Sequence, residues 1–145
     1  GAIVAEASEN DRHHIYEFGK NLGIAFQLQD DYLDAFGDPK TFGKQVGGDI
    51  IENKKTYLYL KAIEFSNKHD ALQLQHLFSI IPSNPEEKIQ KTKQIFTSSG
   101  ATEATKQEIK KFTNKAFSVL DALDISDDKK LILKQFGEQL MNRTV

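Results

Sequence analysis

Cysteine and tryptophan are absent from this 145-residue sequence, and methionine occurs only once. Without cysteine, disulfide bonds, thiolate nucleophiles and zinc–thiolate sites are all excluded. No apolar run approaches the roughly 20 residues that a membrane-spanning helix needs, and no signal peptide is recognisable at the amino terminus. These absences predict a soluble, cytoplasmic protein without stable membrane insertion.

An excess of charge of either sign is also lacking. The 19 basic and 21 acidic residues give a net charge of −2, and the two signs are interspersed along the chain. A nucleic-acid-binding surface would need clustered basic residues, so no nucleic-acid partner is expected. The 39% of apolar residues is enough for a substantial core, which predicts one domain or part of a larger one.

Apolar residues recur at three- and four-residue steps, and no alternating pattern of useful length is present. A long first helix is predicted over 9–36, followed by a loop over 37–49 that is rich in glycine and charged residues. Later helices are predicted over 53–67, from a capping Asp70 to Ile81, from Asn84-Pro85 to about Gly100, through 109–120, and from Ser126 onward. The sequence therefore predicts an all-α fold.

Two glycines, Gly19 and Gly23, lie one turn apart within the predicted first helix. Each destabilises a helix interior by about 1 kcal/mol relative to alanine. Close packing against a neighbouring backbone is the expected compensation.

The end of the first helix carries an acidic stripe within Phe26-Gln27-Leu28-Gln29-Asp30-Asp31-Tyr32-Leu33-Asp34. Helical spacing puts Gln27, Asp30, Asp31 and Asp34 on one face, with mostly apolar residues around it. Carboxylates clustered in a buried setting repel one another unless they are protonated, paired or bound to metal. Oxygen ligands of this kind suit Mg²⁺. A solvated acidic face on a surface helix is the alternative.

Basic residues follow the stripe. Lys44 and Lys54 bracket Gly47-Gly48-Asp49, where the glycines permit backbone conformations closed to other residues. The lysines could bind phosphate as point charges. Taken without the aspartates, they are more simply interpreted as solvated charges in a loop. Three aspartates would repel a diphosphate, whereas aspartates with Mg²⁺ and ammonium groups opposite would hold one.

These residues together resemble the trans-isoprenyl diphosphate synthases. The segment from Phe26 to Asp34 is similar to the second aspartate-rich motif of that family, FQxxDDxxD. The segments that follow also fit, namely Gly37-Asp38-Pro39, Gly43-Lys44, Gly48-Asp49 and Lys54-Lys55-Thr56, as does the later helix start Ser99-Gly100-Ala101. The resemblance implies an antiparallel helical bundle in which Mg²⁺ ions bind an allylic diphosphate, whose allylic cation is attacked by isopentenyl diphosphate.

The resemblance also implies a role for each matched residue. Asp30 would be the principal Mg²⁺ ligand, Asp31 and Asp34 would act through water or neighbouring ligands, and Asp49 would support the same ion. Lys44 and Lys54 would contact the allylic diphosphate. Gln27 would lie beside the leaving group, and Phe26 would line the isopentenyl side.

Complete synthases of this family are much longer, and their first aspartate motif has no counterpart in this sequence. Residues 1–145 are therefore expected to be the carboxyl-terminal part of one polyprenyl synthetase domain, inactive by itself and homodimeric in the complete protein. Two alternatives remain at this point. One is a non-catalytic subunit that regulates a synthase, and the other is a terpene cyclase, in which a different metal motif usually replaces the second DDxxD.

Overall fold

The computed structural model of the protein describes residues 9–37 and 47–142. Within these ranges the regular secondary structure is helical, with no strand, so the all-α prediction is confirmed. The helices, numbered in chain order, are α1 (Glu9–Phe36), α2 (Gly48–Ile51), α3 (Tyr57–Phe65), α4 (Lys68–Leu77), α5 (Glu86–Ser98), α6 (Ala101–Asp121) and α7 (Asp127–Met141). None of the helices in the described part of the chain is long and apolar enough to cross a bilayer.

Several predicted helix boundaries are confirmed. Helix α1 has the predicted bounds and ends where the Gly37 amide donates to the Leu33 carbonyl oxygen at 2.7 Å. A Cβ atom at Gly37 would lie only 2.5 Å from that oxygen, so this ending requires glycine. Helix α7 begins after Ser126, whose hydroxyl oxygen accepts a hydrogen bond from the Lys129 amide at 3.3 Å.

Other predicted boundaries are wrong. The helix expected over 53–67 begins only at Tyr57, because Asn53 has a left-handed φ of 60° that interrupts a helix. Asp70 does not cap α4; Asn67 is the cap, and its side-chain oxygen accepts from the Asp70 amide at 2.8 Å. The same helix ends at Leu77, and not at Ile81 as predicted. The predicted loop over 37–49 contains the start of α2, while residues 38–46 lie outside the described ranges.

The predicted close packing of Gly19 and Gly23 is also wrong. Both glycines are exposed, and a Cβ atom added at either would meet nothing within 4 Å. Within the described structure, no other segment therefore packs closely against either glycine.

The chain divides into two compact units, and α1 and α6 each contribute residues to both. The first unit contains α1 up to Gln27, α6 from Glu108, and α7. Its buried apolar core consists of Phe18, Leu22, Ala116, Leu120 and Leu123. In the same unit, buried Asp11 accepts a hydrogen bond from the Asp124 amide at 3.0 Å, which ties the first turns of α1 to the α6–α7 connection.

The second unit runs from Leu28 to Gln107 and contains α2 to α5 with the ends of α1 and α6. Helix α5 is central, because it contacts α2, α3 and α4. The buried core of the second unit includes Ile50, Leu58, Leu74, Ile89 and Phe96, each no more than 7% exposed. The aspartate stripe, Asp49 and Lys54 all belong to this unit, which therefore holds the described part of the candidate site.

Candidate functional site

The three aspartates of the stripe lie in the last two turns of α1, where helical geometry places them on one face as predicted. They differ in burial. Asp34 is buried, at 6% exposure, whereas Asp30 and Asp31 are partly exposed. Leu33 and Ala35, on either side of Asp34, are both buried, and Ala35 belongs to the core of the second unit. The stripe therefore runs from a solvent-accessible edge to a buried carboxylate.

The buried carboxylate of Asp34 holds the backbone of the next helix. Its Oδ2 atom accepts a hydrogen bond from the Asp49 amide at 2.7 Å, across fifteen residues of sequence. The Gly47 amide also donates to the Asp34 carbonyl oxygen. A hydrogen bond from an amide to an ionised carboxylate is among the stronger types in proteins. Asp34 thus fixes where Asp49 lies relative to the stripe.

Glycine is required where the chain enters α2. Gly47 has a left-handed φ of 93°, and a Cβ atom there would lie 3.0 Å from the Ile89 side chain. At Gly48 a Cβ atom would lie 3.4 Å from Asp34 Oδ1, which is ordinary contact. Gly47 is therefore the glycine that lets this segment approach both α5 and Asp34.

Lys54 brings a positive charge to the carboxylates. Its ammonium lies 3.6 Å from Asp31 Oδ1 and 3.9 Å from Asp49 Oδ1. The negative charges of Asp31, which has the larger effect, and of Asp49 raise the pKa of Lys54 above its ordinary value. The lysine side chain is 52% exposed, so these contacts are screened by solvent and stabilise the fold only slightly. Their importance is geometric: two predicted metal-binding carboxylates and one predicted phosphate-binding ammonium converge.

The next lysine has a different environment. The Lys55 ammonium lies 5.7 Å from the centroid of the Tyr59 ring, on helix α3. Lys54 and Lys55 precede α3 in non-helical backbone, so their side chains separate although they are adjacent in sequence. Lys55 thus lies over an aromatic ring of α3 while Lys54 meets the carboxylates, although the segment 53–56 is not the start of a helix as predicted.

The remaining predicted site residues are not brought to this cluster by any described contact. Lys44 lies in residues 38–46, outside the described ranges. Phe26, half-buried, and Gln27, exposed, precede the stripe on α1 and belong to the first unit. Their proposed roles stay predictions.

Metal binding requires more than the arrangement in the described residues provides. Across residues 9–37 and 47–142, no three acidic or histidine side chains form a ready metal-binding group. The donor set nevertheless fits Mg²⁺, which takes one or two carboxylates and completes its coordination with water and phosphate oxygens. The carboxylates here are held near one another by an ammonium and a backbone amide instead.

Two aromatic residues anchor another side of the same helical turn. The rings of Tyr32 and Phe36 stack with centroids 5.3 Å apart. The Lys106 ammonium lies 5.6 Å from the Tyr32 ring centroid, and that of Lys93 lies 5.3 Å from the Phe36 ring centroid. These cation–π contacts tie α1 to α6 and α5 within the second unit. The four-residue spacing of Tyr32 and Phe36 was visible in the sequence, but their lysine partners were not.

Sequence reasoning missed one buried basic residue beside the site. Lys88 on α5 is 2% exposed, and its ammonium donates to the side-chain oxygen of Asn53 and to the carbonyl oxygens of Ile51, at 3.4 Å, and Ile80, at 2.7 Å. These four residues are called the Lys88 network below. Burial lowers the pKa of Lys88 below its ordinary value. An amphipathic pattern gives no signal for a buried lysine, so only the structure reveals it.

Comparison with known proteins identifies the family. Residues 1–99 match the family model for polyprenyl synthetases. A short chain isoprenyl diphosphate synthase from Methanothermobacter thermautotrophicus is 33% identical over 132 residues, which cover 91% of this chain and 40% of that protein. A geranylfarnesyl diphosphate synthase from Aeropyrum pernix is 29% identical over 144 residues, or 99% of this chain and 44% of that protein.

Solved structures give the same result. A geranylgeranyl pyrophosphate synthase structure is 46% identical with a TM-score of 0.83, and the match covers 99% of this chain and 45% of that one. A Corynebacterium glutamicum geranylgeranyl pyrophosphate synthase, complexed with isoprenyl diphosphate and magnesium, is 31% identical with a TM-score of 0.84 and is covered to 40%. The chain thus spans less than half the length of these relatives. With two thirds of its residues matched by the family model, the chain belongs to the polyprenyl synthetase family.

Proposed function

We propose that this chain is the carboxyl-terminal part of a Mg²⁺-dependent prenyltransferase that condenses an allylic diphosphate with isopentenyl diphosphate to a longer trans-polyprenyl diphosphate. The observation that carries the proposal is the convergence of Asp31, Asp49 and Lys54 beside the aspartate stripe. The names of the relatives support the same reaction class. Family membership supports the substrates as diphosphates of isoprenoid alcohols.

The proposed metal-binding residues are Asp30, Asp31, Asp34 and Asp49. Asp30 is the proposed principal ligand, because it is partly exposed and lies on the stripe one turn from both Gln27 and Asp34. When bound, Mg²⁺ supplies charge neutralisation for the departing diphosphate, which the carboxylates alone would repel. Because Mg²⁺ completes its coordination with water and phosphate oxygens, the proposed site is completed only when metal and diphosphate arrive together.

The proposed phosphate-binding residues are Lys44 and Lys54. Lys54 keeps its charge at neutral pH, since the carboxylates beside it raise its pKa. Its exposed ammonium can exchange an aspartate for a phosphate oxygen without leaving the site. Gln27 is proposed to orient the leaving group and Phe26 to line the isopentenyl pocket.

The chain by itself is proposed to be inactive. Ionisation of an allylic diphosphate requires the leaving group to be held by charge on more than one side, and the sequence of this chain carries one aspartate-rich motif. The relatives are covered to less than half of their length. We propose that the complete protein contributes the opposing groups, acts as a homodimer and resides in the cytoplasm.

Reconstitution tests this function directly. The 145-residue chain would be mixed with a separately produced amino-terminal part of a related synthase. The assay measures Mg²⁺-dependent product from an allylic diphosphate and labelled isopentenyl diphosphate. Product from the mixture, and none from either part, supports the proposal. Product from this chain alone would overturn the claim of inactivity. Assembly of the two parts without product would favour the regulatory-subunit alternative.

The adjacent lysines provide a matched pair of variants for that assay. Lys54→Ala should raise the KM for the allylic diphosphate or lower kcat, each by at least about tenfold, as removal of a charged contact to substrate typically does. Lys55→Ala removes the same charge one residue away and should change both constants by less than about twofold. Equal effects would show that a diffuse basic surface, and not positioned contacts, binds the diphosphate.

A further inference from the structure

The Lys88 network lies directly beside the segment that carries Asp49 and Lys54. All three ammonium hydrogens of Lys88 have acceptors: the Asn53 side chain and the carbonyl oxygens of Ile51 and Ile80. The Asn53 side-chain amide also donates to the Ile80 carbonyl oxygen at 3.3 Å. One side chain on α5 therefore holds the last residue of α2, Ile51, and a residue of the connection from α2 to α3, Asn53.

A buried lysine is an expensive way to fill core space. Removing an ammonium from water is unfavourable unless its hydrogen bonds are replaced, and a methionine of similar length would avoid that penalty. Among the described residues Lys88 has no ion-pair partner; carbonyl and amide oxygens and the nearby Phe78 ring surround it. Burial lowers the pKa of Lys88, in keeping with this cost. In return, the hydrogen bonds of Lys88 hold the backbone conformation of residues 51–53.

That geometry is unusual. Asn53 has a left-handed φ of 60°, a conformation that few non-glycine residues adopt and that asparagine tolerates better than most. The bend leaves the Lys54 amide donating back to the Asp49 carbonyl oxygen at 2.8 Å. It also brings the Lys54 ammonium to 3.9 Å from the Asp49 carboxylate.

From these contacts we infer that Lys88 is a positioning residue, which fixes the 51–53 bend so that Lys54 and Asp49 face the aspartate stripe. Lys88 acts through Asn53 and the Ile51 backbone, to which its ammonium donates hydrogen bonds. The inference rests on the proposed function for its catalytic meaning, whereas its structural part stands independently.

Hydrogen exchange on the 145-residue chain tests the structural part. The test variant is Lys88→Met, and the matched control is Lys91→Met. Lys91 is an exposed lysine on the same helix, and its ammonium lies 2.9 Å from the Glu87 carboxylate. Lys88→Met should lower protection of the Lys54 amide by roughly tenfold or more, while amides within α6 change less than about twofold. Lys91→Met should change neither. A uniform loss of protection throughout the chain, or no loss at the Lys54 amide, would overturn the inference.

A second variant covers the case in which Lys88→Met does not fold. Asn53→Gly removes the side-chain acceptor but favours the left-handed backbone, so the fold should survive. It should lower protection at Lys54 in the same local manner, and unchanged protection there would count against the positioning role. Lys88→Arg keeps the charge and the donors and should restore at least part of the protection lost in Lys88→Met.

Titration calorimetry with magnesium and inorganic pyrophosphate tests the functional part. If the parent chain binds this probe, Lys88→Met and Asn53→Gly should weaken binding by roughly tenfold, and Lys91→Met should not. Unchanged affinity in both test variants would overturn the link to the site. Failure of the parent chain to bind would instead count against the proposed function, and the exchange experiment would still decide the structural part.

Discussion

Asp34 should contribute to stability in a way that its neighbours in the stripe do not. It is buried, and its carboxylate accepts the Asp49 amide at 2.7 Å. Asp34→Ala removes a hydrogen bond with a charged acceptor and leaves that amide without this acceptor, so the free energy of unfolding should fall by about 1.5–3 kcal/mol. Asp34→Asn retains an oxygen acceptor and should lose only about 1 kcal/mol, the part due to charge.

Asp30 provides the comparison within the same stripe. It is partly exposed, so Asp30→Asn should change the free energy of unfolding by less than about 0.5 kcal/mol, or raise it slightly by relieving repulsion among carboxylates. Urea denaturation followed by far-ultraviolet circular dichroism, in buffer without Mg²⁺, measures all three variants. Equal losses for Asp34→Ala and Asp30→Asn would refute the reasoning. They would mean that the stripe is uniformly solvated and that Asp34 does not hold α2.

Three further predictions concern other parts of the chain. Gly19→Ala and Gly23→Ala should each raise the free energy of unfolding by up to about 1 kcal/mol, because helix propensity improves and a Cβ atom meets nothing; a loss in urea denaturation would show that these positions are covered. Because burial lowers the pKa of Lys88 in the folded chain, this lysine holds its proton more tightly in the unfolded chain just below pH 10.5, and its contribution to the free energy of unfolding should rise with pH in that window. Urea denaturation at alkaline pH measures this as the free energy of unfolding of the parent minus that of Lys88→Met; a value that falls as pH rises would contradict the prediction. The chain should self-associate in sedimentation velocity, and glutamine at three exposed apolar residues of α7 should reduce this: Leu131, Ile132 and Phe136.

The sequence predicts helices well wherever the signal is local. The bounds of α1, the start of α5 after Asn84-Pro85 and the cap at Ser126 depend on apolar spacing and on residues within one turn. The acidic stripe was predictable for the same reason, since helical periodicity alone puts Asp30, Asp31 and Asp34 on one face.

The predictions fail where contacts between distant residues decide the structure. Asn53 adopts a left-handed conformation against the preference of most residues, and the Lys88 side chain, 35 residues later, holds it there. The prediction that Gly19 and Gly23 pack closely failed because a glycine in a helix indicates only that a side chain is missing. The sequence does not indicate whether another segment approaches that position. The engagement of Asp34 with Asp49 likewise spans residues that no periodicity relates.

The bend at Asn53 also explains how two adjacent lysines acquire different environments. Had α3 begun at residue 53, as the apolar pattern predicts, Lys54 and Lys55 would be only about 100° apart on one helical surface. Residues 54–56 are instead non-helical, and Lys54 meets Asp31 and Asp49 while Lys55 lies over Tyr59. The Lys54 ammonium, held beside Asp31 and Asp49, is placed where a metal-bound diphosphate would meet it, whereas the Lys55 ammonium lies over an aromatic ring. The interruption of the helix is therefore part of how the proposed site places Lys54, and not Lys55, beside the carboxylates.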